Sequence, residues 1–144
     1  MKSKAEIASQ DLMGKFNCEQ STLAVFAEDY GLDEKAALRM GAGLGGGCHY
    51  GEVCGAILAG CAVVGLKHGN QEPDPEKYQF CREKAREFMG IVKDKYGTFR
   101  CSELLDVDMS APDGRDKARE LGRFDTHCRP IIAFVVNTLE ELGY

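Results

Sequence analysis

The sequence predicts an all-α protein: a compact single-domain helical bundle in which a glycine-rich loop leads into a central apolar helix. Three observations carry this. Apolar residues recur every three or four positions in several segments, and these segments begin at recognisable helix-start residues. Of the two runs that could be read as strands, Val53 to Leu66 is too long, and Ile131 to Val136 has no evident partner strand elsewhere. At 144 residues and 44% hydrophobic, the chain suits one domain over 1–144 with its own core.

Taken in order, Asn17 and Gln20 form a capping-box pattern ahead of Leu23, Val25, Phe26 and Tyr30, which predicts a helix over 18–30 ended by Gly31. Asp33 is an N-cap for a second helix over 34–40. The glycines from Gly41 to Gly47 then predict a loop, since so many cannot continue a stable helix. From Val53 to Leu66 the chain is apolar almost all round, the mark of a helix at the centre of a fold. Its glycines cost roughly 1 kcal/mol each against Ala, but they let neighbouring backbones approach closely.

Pro73, Asp74, Pro75 and Glu76 make a good helix start. Behind them Tyr78, Cys81, Ala85, Phe88, Met89 and Val92 repeat at helical spacing until Gly97. A short turn is expected over 102–105, a loop over 109–114 and a further helical turn over 116–122. Pro130 then suits the first position of a C-terminal helix facing Ile131, Ile132, Val135, Leu139 and Leu142 inward.

Charge and patterning exclude several function classes. With 18 basic against 23 acidic side chains and no basic run, the footprint of a nucleic-acid binder is missing. The stretch from Val53 to Leu66 is shorter than the roughly 18 residues a membrane span needs, and the N-terminus shows no apolar export signal. The expectation is a cytoplasmic protein that engages neither nucleic acid nor membrane. A glycine-rich helical face also suits a homodimer.

Cysteine usage is the outstanding feature. Seven are present, an odd number, and in a reducing compartment such a set serves metal or redox chemistry more often than structural cross-links. Cys18, Cys54, Cys101 and Cys128 each stand near an expected helix beginning, where unpaired N–H groups and the macrodipole favour thiolate, and Arg100 and Arg129 add cations beside two of them. Cys81 falls on the core stripe of its helix. Cys61 lies seven residues beyond Cys54, on the same face, and reads as core as well. Cys48 and His49 close the glycine loop and could add ligands, and His127 precedes Cys128; for each histidine an exposed or hydrogen-bonded side chain is the ordinary reading.

No Cys-x-x-Cys occurs, so any site must be assembled by the fold. Gly41 to Gly46 matches G-x-G-x-x-G literally, but it follows a helix rather than a strand, which argues against a nucleotide site. Gly45, Gly46, Gly47 and Gly55 are instead candidates to bring backbone N–H groups up to an anionic sulfur or a bound group.

Several features resemble one family: Asn17-Cys18 before the first helix, the glycine-rich loop running into Cys54-Gly55-Ala56, Cys101 followed by Glu103, Leu104 and Leu105, and a late Cys128. It is the family of small redox-active proteins named for a C_GCAxxG_C_C cysteine pattern. The resemblance implies that these four cysteines form the redox or metal-binding set. The motif's closing glycine is shifted here, with Ala59 preceding Gly60, and Cys48, Cys61 and Cys81 are additional.

Three readings follow. The four thiolates could hold an iron–sulfur cluster for electron transfer with a redox protein partner, or a zinc ion in its place. Two of the cysteines could instead cycle between dithiol and disulfide without metal. In the third, the chain is a helical interaction or sensor domain whose cysteines are mostly core.

Overall fold

Caps set the helix boundaries. The structure, a computed structural model, describes all 144 residues, and eight helices account for its regular structure. Helix α1 (Lys4–Glu6) begins at a Ser3/Glu6 capping box and runs on as a π turn over Ile7–Leu12. Sequence patterning does not single out this segment. Helix α2 (Cys18–Ala27) starts from the expected Asn17/Gln20 box, with Gln20 N–H donating to Asn17 Oδ1 at 2.9 Å and Asn17 N–H to Gln20 Oε1 at 3.0 Å. A short 3₁₀ turn, Glu28–Tyr30, completes it.

Helix α3 (Glu34–Ala42) is capped by Asp33 and runs two residues further than the glycines imply. Gly41 is helical because its missing side chain lets α3 lie against the start of α2, where a Cβ would overlap Glu19 Oε2. The loop then tightens into a π turn, Gly47–Gly51, with Gly46 and Gly47 both at positive φ.

Helix α4 (Gly55–His68) is the central apolar helix and packs against α2, α5 and α8. Gly60 admits the Phe88 ring of α5 (Pro75–Tyr96), which ends at left-handed Gly97. Helices α6 (Cys101–Leu105) and α7 (Gly114–Glu120) are short. Helix α8 (Arg129–Glu141) carries Pro130 in its first turn, but a π turn over Phe124–Cys128 feeds directly into it. Cys128 therefore lies within a continuing ladder, not at a free helix start, because Arg129 N–H donates back to Phe124 O.

Two apolar clusters result. The main core gathers Leu23, Phe26, Ile57, Phe88, Ile132 and Leu139 among its fully buried side chains. A smaller one joins Cys101, Leu105 and Ala118, with Phe124 and Cys128 packed on it. Arg129 ties the ends of the chain together by donating to Ser9 O at 2.6 Å. There are no strands, only isolated bridges at Met13/Phe16 and Val53/Arg100. No helix is long and apolar enough to cross a membrane.

Candidate functional site

The Val53/Arg100 bridge fixes two of the candidate cysteines. Cys54 N–H donates to Phe99 O at 2.8 Å and Cys101 N–H to Glu52 O at 2.6 Å, so the starts of α4 and α6 are held side by side. Cys18 opens α2 just below the glycine loop, where Asn17 Nδ2 donates to Gly41 O at 3.0 Å and Gln20 Nε2 to Leu38 O at 2.7 Å. These bonds clamp the start of α2 to the end of α3.

Cys18 and Cys54 are buried and adjacent. The Cys54 thiol donates to the Cys18 sulfur, and the N–H groups of Gly46, Ala56 and Gly55 also stabilise that sulfur as thiolate. Together they outweigh burial and hold the Cys18 thiol down at about 6. The same contact makes Cys54 the proton keeper: its donated hydrogen bond and its burial push it well above the ordinary thiol range. The approach needs Gly55, since a Cβ there would stand 2.6 Å from Cys18 Sγ.

Cys101 is pushed up to about 12 by burial and by the charge on Cys18, and Cys128 is raised for the same two reasons, burial first. A helix start thus goes with thiolate at Cys18 but does not deliver it at Cys54 or Cys101, and Cys128 has no free helix start to draw on. Desolvation wins wherever N–H donors do not converge on the sulfur.

All four cysteines line a single cavity of about 690 Å³ between the two apolar clusters. Of the four glycines, Gly46 and Gly55 bring N–H groups to Cys18. Gly45 and Gly47 serve close packing, against the Asn17 side chain and the Glu52 backbone respectively. Cys61 and Cys81 pack at the edge of the main core and do not line the cavity, and burial raises Cys61 to about 11. Cys48 is exposed. His49 lines the cavity while its Nε2 pairs with Ala42 O at 2.7 Å, and His127 pairs with Thr126. No three His, Cys, Asp or Glu side chains are grouped so that they could hold a metal ion.

The family model described as "putative redox-active protein (C_GCAxxG_C_C)" matches residues 16–142. The chain belongs to this redox-active family. No curated protein and no solved structure matches it. Within the C_GCAxxG_C_C match lie all four cysteines of the cavity wall, whereas α1 precedes it.

Glu19 is a feature that sequence reasoning passes over. As an acid in the first turn of α2 it reads as an ordinary partner of the helix dipole. In the fold it is fully buried, and neither carboxyl oxygen has a hydrogen-bond partner. Burial, then the charge on Cys18, raise it to about 7. Gly41 and Gly55, which leave room for it, are the available signal in the sequence.

Proposed function

We propose that this protein is a thiol redox protein in which Cys18 and Cys54 cycle between dithiol and disulfide. Cys18 is the attacking thiolate and Cys54 the resolving thiol. The observation that carries this reading is the contact of the pair: two buried sulfurs within hydrogen-bond reach of each other, with the N–H groups of Gly46, Gly55 and Ala56 gathered at Cys18, an arrangement that favours the charge there and the proton on Cys54. A thiolate beside a protonated partner is the arrangement that disulfide exchange uses. Seven free cysteines suit a reducing compartment such as the cytoplasm, with a redox protein as the partner that restores the dithiol.

A second reading is favoured by the shared cavity wall, which the pair alone does not explain. Cys18, Cys54, Cys101 and Cys128 would together ligate an iron–sulfur cluster for electron transfer, or a zinc ion in the close variant, with N–H groups of Gly46 and Gly55 near the sulfur. As they stand these side chains do not converge on one ion, so a single-ion site fits them poorly. The dithiol reading requires no such convergence.

The experiment is to purify the chain without oxygen, assay iron, acid-labile sulfide and zinc, oxidise it mildly and map disulfides by peptide mass. The expected result is a metal-free protein with one Cys18–Cys54 disulfide, still formed in Cys61→Ser and Cys81→Ser. Iron with sulfide, lost from each of the four Cys→Ser variants at the cavity and kept in Cys81→Ser, would establish the second reading instead.

A further inference from the structure

The charges around the cavity are segregated. Acidic side chains outnumber basic ones 23 to 18 in the chain, yet the cavity wall contains Lys15, Arg115, Arg119 and Arg129 and neither an Asp nor a Glu. Two of these cations are occupied. Arg129 is bound to Asp125 at 2.8 Å and to Ser9 O, while Arg119 pairs with Asp116 at 3.4 Å along its own helix and lies over the Phe124 ring. Lys15 and Arg115 enter no ion pair. Both are exposed, and both line this one cavity. Apolar side chains, Phe16, Leu104, Met109 and Phe124 among them, share the rest of the wall with the neutral polar groups of Asn17, Gln20 and Ser110.

A cavity whose wall holds two unpaired cations, no carboxylate and a cysteine sulfur sorts ligands by charge as well as by reactivity. We infer that the cavity binds small anionic disulfides, whose carboxylates meet Lys15 and Arg115 while the S–S bond reaches Cys18. The inference rests on the dithiol reading and names its substrate class. Cys18 thiolate attacks one sulfur of RS–SR. The S–S bond breaks, RS⁻ leaves and a mixed disulfide forms on Cys18. Cys54 gives up its proton to the departing thiolate and attacks Cys18 Sγ, expelling the second RS⁻. One disulfide is reduced to RSH and RS⁻, and the Cys18–Cys54 pair is oxidised by the same two electrons.

The test uses the reduced full chain and two probes: dianionic 5,5′-dithiobis(2-nitrobenzoate) and neutral 2,2′-dithiodipyridine. The rate read is that of the phase which Cys18→Ser removes, and the measured quantity is the anionic-to-neutral rate ratio. Arg115→Ala is expected to lower this ratio about three- to tenfold, the effect of one partly screened charge near the reacting centre, and the Lys15→Ala/Arg115→Ala double variant to lower it further. In the unmodified protein, added salt should lower it as well, a check that needs no variant. A ratio that stays within about twofold of its starting value under all three perturbations overturns the inference, at that same expected charge effect. If neither probe gives a Cys18-dependent phase, the dithiol reading fails and the substrate assignment falls with it.

Discussion

Replacing Glu19 by Gln isolates the energetics of the buried carboxyl. Gln keeps the shape and polarity of protonated Glu but cannot ionise. In the folded chain Glu19 holds its proton up to about 7, against 4.5 for an ordinary carboxyl, because its burial penalises the charge and the Cys18 thiolate repels it. Ionising it in place therefore costs about 3 kcal/mol more than ionising it in the unfolded chain. Between pH 4.5 and about 7 the unfolded state gives up this proton first, so the contribution is fully present below that window, declines through it and is level above it. The Cys18 thiol acts in the opposite sense. Held at about 6 against 9, it contributes stability that is present above pH 9 and is lost as pH falls through 6. That contribution is common to both proteins and cancels to first order in their comparison. Urea unfolding with thiols kept reduced is then the assay. Glu19→Gln should be close to the parent near pH 5 and gain about 2–3 kcal/mol relative to it near pH 8.5. A difference between the two proteins that does not change with pH would refute the reasoning, since a carboxyl ionising normally would contribute no pH-dependent term.

The remaining predictions concern the thiolate and its glycines. Alkylation of Cys18 by iodoacetamide should rise with a midpoint near pH 6, and in Cys54→Ala the midpoint should move up because the largest stabiliser of the thiolate is gone; peptide mapping across a pH series reads both. Gly55→Ala should destabilise the fold by about 1–3 kcal/mol and also raise the Cys18 midpoint, as the new methyl group presses on Cys18 Sγ. Gly60→Ala meets the buried Phe88 ring and should cost a similar amount of about 1–3 kcal/mol in urea unfolding, while leaving the Cys18 midpoint where it is.

Much of the helical architecture is legible because its signals are local. Asn17 with Gln20, Asp33, Pro75 and Gly97 act within a turn of where they stand, and each marks a helix end in the fold. The first helix escapes notice although Ser3 and Glu6 make the same kind of box, because the α segment is only three residues long and carries no sustained apolar stripe. Charge placement is not local. Lys15 precedes α2 and Arg115 lies in α7, so their place in one cavity wall depends on the packing of α7 against α6 and the turn before α8. Sequence separation hides such a cluster, whereas a helix-start cysteine shows its setting in its own neighbours.

The protonation order of the cysteines follows from a competition that helix position alone does not decide. Cys18 and Cys54 are about equally exposed, at 8% and 7%, and both sit at helix starts, so desolvation and dipole do little to separate them. Their N–H donors do. Ala56 serves both, Ile57 serves Cys54, and Gly46 and Gly55 serve Cys18. Gly46 comes from the loop after α3, at φ +60°, a conformation that glycine adopts without the strain a side chain would bring. The loop therefore adds a donor that the α4 start alone does not provide, on the side of Cys18. Once Cys18 carries the charge, the Cys54 thiol is the hydrogen-bond donor, and two negative sulfurs in contact would repel in the poorly screened interior. The glycine-rich segment thus acts through backbone geometry on charge placement, selecting which of two adjacent sulfurs is the nucleophile.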